Sequence, residues 1–279
     1  MADFGEEILA EQDAASQISA QETKEQDEFS WSEELRRKYD ITGYRHAETI
    51  LKHDFPDIYD QLTQMLESFR FPYSHAIVGG GGKGPIAVDF DDLLQVQGFK
   101  EKQVDVAQII DGRRLESPTH KVDFYKERIA VELEWNNKTE FYDRDLDNFR
   151  KLHSLGVLSV GIIVTRATSM DSLFTRIDGL LTQMPFEYFR KNGKRNVVTV
   201  ISSKYGASTT NADKIYPKIE GGAGGQCPLL VFAMKEPLAF DNYSDAMKRA
   251  GQAGRVHVTP DDLIATSDVD SHDFEDVED

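Results

Sequence analysis

Three carboxylates within residues 121–150, KVDFYKERIAVELEWNNKTEFYDRDLDNFR, have the types and spacing for metal chemistry. Asp123 precedes Glu132 by nine positions, and Glu134 follows two further on. Apolar residues alternate around them: Val122 and Phe124, then Ile129, Val131, Leu133 and Trp135. That is the period of a strand with one buried face. Glu132 and Glu134 then share the other face, with Cα atoms roughly 7 Å apart. A turn at Lys126, Glu127 and Arg128 would fold Asp123 back beside them. Carboxylate oxygens converging from such a hairpin make a cage for a hard cation such as Mg²⁺. The same acids also fit the solvent face of an ordinary amphipathic strand. Against that, like charges side by side repel unless a cation or a base neutralises them. The segment runs into Trp135, Asn136, Asn137 and Lys138, an amide-rich turn of the kind that reads base edges.

A scaffold must hold these acids. Residues 33–70 read as helical, with Leu35, Ile50, Leu51, Ile58, Leu62, Met65, Leu66 and Phe69 buried and with breaks at Gly43 and Pro56. The run IVGGGGKGP, residues 77–85, matches a glycine fingerprint through Gly79, Gly81 and Gly84. Pro85 follows, no clear helix opens and no Ser or Thr follows Lys83, so it reads as a flexible loop. A short helix is expected over 89–98 and mixed structure over 100–114. Residues 142–155 read as a helix ended by Gly156. The β-branched run 157–165 fits a strand buried on both faces. A helix over 171–184, strands over 196–203 and 228–234, and a last helix over 243–250 complete the pattern. Between the last two strands lies KYGASTTNADKIYPKIEGGAGGQ, read as a long polar loop, in which the glycine run Gly221–Gly225 is a hinge. The order predicts an α/β fold, a mixed central sheet flanked by helices.

The 279 residues carry a net charge of −17, which opposes a nucleic-acid partner until its distribution is seen. Residues 1–28 hold nine acids and one lysine, and residues 261–279 hold nine acids and no lysine or arginine. Removing those eighteen acids and one base from totals of 49 and 32 leaves 31 of each in residues 29–260. The ends read as acidic disordered tails, 1–28 and 261–279, around a single domain over 29–260. They serve solubility or compete with DNA phosphate for a basic cleft. No apolar run is long enough to span a membrane, and no secretory signal opens the chain. The lone Cys227 excludes an internal disulfide and fits a reducing cytoplasm; it reads as a small buried residue.

The pattern V-D-F-x7-V-E-L-E-W-N-N resembles the active-site hairpin of type II restriction endonucleases of the BglII/BstYI family, within the PD-(D/E)XK nuclease superfamily. Three further blocks agree in order. Residues 41–51, ITGYRHAETIL, resemble the family's N-terminal helix. Residues 161–166, GIIVTR, resemble its core strand, and residues 208–218, STTNADKIYPK, its DNA-contacting loop. The resemblance implies a restriction-endonuclease-like core and a homodimer that cuts palindromic double-stranded DNA with Mg²⁺. It implies a site with a GATC core, a prokaryotic cytoplasmic setting, and a cognate DNA methyltransferase as a functional rather than physical partner. Asp123 and Glu132 match the metal-binding acids. Glu134 takes the third catalytic position, where the superfamily usually has Lys; a glutamate there accepts a proton or holds a second metal. Asn136, Asn137 and Lys138 match the turn that enters the major groove. Arg166, Ser169 and Ser172 fall in a second recognition loop, and Asp213, Lys214, Tyr216 and Lys218 in the loop that closes on DNA.

Other side chains carry plainer readings. His46 fits a helix surface, Phe141 and Tyr142 the core, and Arg144, Arg150 and Lys151 pairs within their helix with Asp145 and Asp147. Two rival functions remain. One is a repair or recombination nuclease of the same superfamily, separable by whether cleavage falls at one fixed sequence. The other is a non-enzymatic acidic DNA mimic or regulatory protein, which would spread its acids over a folded surface rather than collect them at the ends.

Overall fold

The computed structural model describes residues 31–78, 83–116, 119–189, 195–250 and 256–257. Both acidic ends and the glycines at 79–82 lie outside those residues. Six strands, numbered in chain order, form the central sheet: β1 (Tyr39–Tyr44), β2 (Lys100–Lys102), β3 (Val122–Lys126), β4 (Ile129–Glu134), β5 (Val160–Arg166) and β6 (Leu229–Met234). Their spatial order is β1, β6, β5, β4, β3, β2. The β6–β5 and β5–β4 pairs are parallel, while β1–β6, β4–β3 and β3–β2 are antiparallel. This is the mixed α/β sheet expected from the order of elements.

Helices cover both faces because β4, β5 and β6 are internal strands with apolar residues on either side. On one face lie α6 (Phe141–Ser154) and α8 (Ala212–Glu220). Tyr142, Leu146, Phe149, Leu152, Ile215 and Ile219 pack there on Ala130, Ile163, Leu229 and Val231. The other face is the larger core. Ile129, Val131, Leu133, Ile162, Val164 and Phe232 meet α1 (Glu33–Lys38), α2 (Ala47–Asp54), α3 (Pro56–Ser68), α4 (Tyr73–Ile77), α5 (Pro85–Val96) and α7 (Met170–Gln183). Gly161 on β5 lets α6 approach closely: a Cβ there would come within 2.4 Å of the buried Phe149 ring.

Four expectations need correction. The helical reading of 33–70 missed β1. Tyr39–Tyr44 is a strand because it pairs along its whole length with β6, a partner nearly two hundred residues away. The block 41–51 is therefore half strand. His46 is exposed at the N-cap of α2, and Arg45 and His46 both adopt positive φ (56° and 58°) to turn the chain into the helix. A helix does open after the glycine run, at Pro85, whose missing N–H costs nothing at a first helical position. Lys83 beside it pairs with the buried Asp91.

The strand expected over 196–203 ends early. Arg195–Val198 pairs with Phe186–Phe189, then the Asp178 carboxylate accepts from the Ile201 and Ser202 N–H groups (2.6 and 3.3 Å) and a 3₁₀ turn follows. The polar loop over 204–226 contains α8, which anchors itself on three buried residues, Ala212, Ile215 and Ile219. Cys227 is buried and free, as read.

Candidate active site

The β3–β4 hairpin turns on two residues, Glu127 and Arg128, both at positive φ (46° and 73°), the geometry that matches the twist of paired strands. Lys126 pairs with Ile129 and so belongs to the strand rather than to the turn. Pairing runs as far as Phe124 with Val131, and the next step sets Asp123 beside Glu132. The Asp123 N–H donates to Glu132 Oε1 at 3.3 Å. The β2–β3 register slips between Lys100 and Lys102, so Val122 packs under α6 while Phe124 packs in the opposite core. Such an irregularity re-aims the side chain between them, here Asp123, which is exposed at the mouth of the site.

Glu132 and Glu134 do not form a solvent face. They are 1% and 2% exposed, because β4 is internal and α6 lies across it. From α6 a fourth carboxylate, Asp145, reaches the same place, 3% exposed and near enough for its charge to act on Glu134. Arg144 faces the group: its Nη2 lies 2.8 Å from Asp145 Oδ1 and 3.7 Å from Glu134 Oε1. Burial pushes the Glu132 carboxyl well above the usual carboxylate range, and the charges of Asp145 and Asp123 push further. Glu134 is pushed up to about 9, first by burial and then by the charge and hydrogen bond of Asp145; Asn137 and Arg144 oppose this. Asp145 is raised by burial, with Arg144 opposing.

Buried carboxylates are stable only when protonated, paired or bound to a cation. Here Glu132 Oε2, Glu134 Oε2 and Asp145 Oδ2 are buried without a hydrogen-bond partner. The donor set is all oxygen, the chemistry of a hard dication, so the residues present fit Mg²⁺. Among the described residues no three or more carboxylate, histidine or cysteine side chains are gathered into a ready-made metal shell. Mg²⁺ commonly takes only one or two protein carboxylates and fills its other positions with phosphate and water, so the two requirements do not conflict.

The turn after β4 is braced from across the chain. The Asn137 N–H donates to Thr210 Oγ1 (3.1 Å), Thr210 N–H donates back to the Asn137 carbonyl (2.9 Å), and Lys138 forms a bridge with Thr209. Asn136 and Asn137 are half-buried and Lys138 is exposed. Beneath them the Thr165 hydroxyl donates to the Glu134 carbonyl (2.8 Å) and meets Tyr142 Oη at 2.7 Å. Tyr142 is thus core, as read.

The other sequence-derived site residues divide. Ser169 and Ser172 are exposed at the start of α7, where the Ser172 hydroxyl donates to the Ser169 carbonyl. Asp213 is exposed and accepts from the Thr168 hydroxyl at 2.6 Å, which ties the segment before α7 to the start of α8. Lys214 Nζ donates to the Ala207 carbonyl (2.6 Å) and to that of Thr209. Tyr216 is half-buried beside Thr42, and Lys218 pairs with Asp143 of α6 at 2.6 Å. Arg166 stands apart. It is 1% exposed, donates to Asp171, the Tyr205 carbonyl and Thr209, and lies over the Phe174 and Tyr205 rings. The structure makes it a brace for the 205–209 segment rather than a free arm.

Asp145 and Asn148 are the residues that sequence reasoning missed. Asn148, also buried, donates to the His120 carbonyl (3.1 Å) and fixes the chain entering β3. Their signal was positional: both fall on the apolar stripe of Tyr142, Leu146, Phe149 and Leu152, where a polar side chain needs a reason.

A mixed sheet with a central acid-bearing hairpin, capped by a helix that adds a fourth acid, defines a restriction-endonuclease-like protein. Residues 39–234 match the family of restriction endonuclease BglII/BglIII, and the chain belongs to that family. The match covers every strand of the central sheet and leaves both acidic ends outside. Membership implies site-specific cleavage of DNA. No curated protein matches the chain. Among the described residues no helix is long and apolar enough to cross a membrane.

Proposed function

We propose that the protein is a type II restriction endonuclease that hydrolyses phosphodiester bonds of double-stranded DNA at a palindromic site with a GATC core. The observation that carries this reading is the pair of buried acids, Glu132 and Glu134, with unpartnered oxygens beside Asp123, at the centre of a restriction-endonuclease family fold. Asp123 and Glu132 would hold Mg²⁺. When bound, the cation supplies Lewis-acid polarisation of the scissile phosphate and charge neutralisation for the acids. Glu134 accepts the proton of the attacking water. Its high proton affinity suits a base, and a cation held by Asp123 and Glu132 would favour its ionised form. Leu133 and Trp135, buried on the opposite side of the strand, hold the two glutamates in place and keep water from behind them.

Asn136, Asn137 and Lys138 are the direct readers in this scheme. An asparagine pairs bidentately with adenine, and a lysine donates to guanine N7 and O6. Ser169, Ser172, Asp213, Lys214, Tyr216 and Lys218 form the second rim of the DNA cleft, and Arg166 positions that rim from below. A two-fold homodimer on a palindrome reads both half-sites with the same residues. The cognate methyltransferase protects host DNA without binding this chain, and both act in the cytoplasm.

Digestion of unmethylated plasmid with Mg²⁺ tests this, wild type beside Glu132→Ala, with fragment ends sequenced. Discrete fragments sharing GATC-centred ends, lost in the variant, are expected. Intact DNA across Mg²⁺ and Mn²⁺ would sink the reading, and cleavage at unrelated sequences would turn it towards a repair nuclease.

A further inference from the structure

We propose that Arg144 is a catalytic residue of this site, its guanidinium contacting the scissile phosphate, with Asp145 as the positioning residue that aims it. The proposal rests on the nuclease reading above and adds a group to it.

The need for a cation comes from charge. The carboxylates of Asp123, Glu132, Glu134 and Asp145 act on one another's charge, and on the nuclease reading an anionic phosphate enters beside them. A dication on Asp123 and Glu132 leaves Glu134 and Asp145 facing the same phosphate. Repulsion at such short range in a partly dry site is strong. Arg144 is the basic side chain set among these acids. It feels the charges of Asp145, Glu134 and Glu132, in that order.

The geometry shows an arm held and not spent. Nε and Nη2 both face Asp145 Oδ1 at 2.8 Å, on the buried side. The guanidinium lies over the Phe141 ring, 4.6 Å from its centre, which fixes its plane from the other side. The side chain stays 36% exposed, in contrast to the 1% of Arg166. Among the described residues its Nη1 has no protein partner, so that edge of the fork is open. A guanidinium with one edge anchored and one open is preorganised for a charge-assisted hydrogen bond to a phosphate oxygen. Asp145 touches no substrate in this arrangement; it acts through Arg144 and Glu134. Its burial on the apolar stripe of α6 is explained by that task.

The test uses full-length Arg144→Gln, Arg144→Lys and Asp145→Asn beside wild type and Glu132→Ala, each checked by thermal melting. Single-turnover cleavage by Arg144→Gln is expected to fall by about 100-fold. Added guanidinium is expected to restore at least a tenth of the loss, and Arg144→Lys to retain an intermediate rate. A second readout needs no turnover. In EDTA, the slope of log affinity for duplex DNA against log salt is expected to shrink by about one for Arg144→Gln. Asp145→Asn is expected to keep that slope and lose rate. Arg144→Gln cleaving within threefold of wild type, or an unchanged salt slope with no guanidinium rescue, overturns the contact while leaving the nuclease reading intact. Wild type that fails to cleave overturns both. If Arg144→Gln does not fold, Arg144→Lys decides: an unchanged rate and slope with guanidinium inert overturns the proposal, and a reduced rate raised by guanidinium supports it.

Discussion

The two faces of β4 are built on opposite principles. Ile129, Val131 and Leu133 point into the larger core, where every neighbour is apolar and burial needs no partner. Ala130, Glu132 and Glu134 point under α6, equally buried, but with carboxylate oxygens that the protein itself leaves unpartnered. Six consecutive buried residues thus include four apolar side chains that favour the fold and two carboxylates that oppose it. The lesson is that the sheet's dry face is what allows the wet chemistry of the other. A strand locked by hydrocarbon on one side can hold carboxylates in an unfavourable place on the other.

Glu132→Gln should break the comparison most sharply. Cleavage is expected to fall at least about a thousandfold, the scale for losing an electrostatic contact made in the transition state together with a metal ligand. The melting temperature is expected to hold or rise, because Glu132 Oε2 is buried without a hydrogen-bond partner and an amide there removes the cost of ionising it. Loss of activity with an equal loss of fold would mean that Glu132 is structural. Its mirror image is Ile129→Ala, on the other face of the same strand. Here about 2–5 kcal/mol of stability should go, and the cleavage rate of the folded protein should stay within a few-fold of wild type. Denaturant unfolding and single-turnover assays at low temperature separate the two outcomes.

The smallest effect is in pH. Glu132 and Glu134 bind protons more tightly folded than unfolded, since burial raises both. Stability from such groups is complete below the ordinary carboxylate range and is lost as pH rises through the folded value, about 9 for Glu134. In EDTA, melting temperature should therefore drop by several degrees between pH 5 and pH 9. The double variant Glu132→Gln, Glu134→Gln should flatten that slope, and Mg²⁺ should lift wild type most at the alkaline end. A melting temperature that climbs with pH, alike in wild type and double variant, would count against this account of the site.

Much of the dry half was legible from sequence, because periodicity reports burial. The alternation from Ile129 to Trp135 gave the hairpin, the β-branched run gave β5, and the helix read over 142–155 and ended by Gly156 is α6. What periodicity could not report is which residues pair at long range. Tyr39–Tyr44 has no strong strand pattern of its own and becomes one only against β6. Residues 212–220 look like a polar loop because only Ala212, Ile215 and Ile219 are apolar anchors and Pro217 sits among them. In the site, Asp123, Glu132 and Glu134 were visible from their spacing. Asp145 was not, since an acid next to an arginine on a helix reads as a surface pair. Only the depth of α6 against the sheet turns it into a member of the cluster. Arg166, read from the resemblance as part of a second recognition loop, is buried at the end of its strand, a depth that its sequence neighbours do not reveal.

The hydrogen atom at Gly161 sets how near α6 can lie, and so works as a shim. A methyl group there would meet the Phe149 ring and wedge the helix outward. Arg144 and Asp145 ride on that helix while Glu134 stays with the sheet, so the wedge would part the two halves of the cluster without altering a single charge. The distance between Glu134 and Arg144 can be tuned from behind, by a position buried under the helix. In a member of a restriction endonuclease family, that is a place where evolution or an engineer can change the spacing of the acids while leaving every surface residue alone.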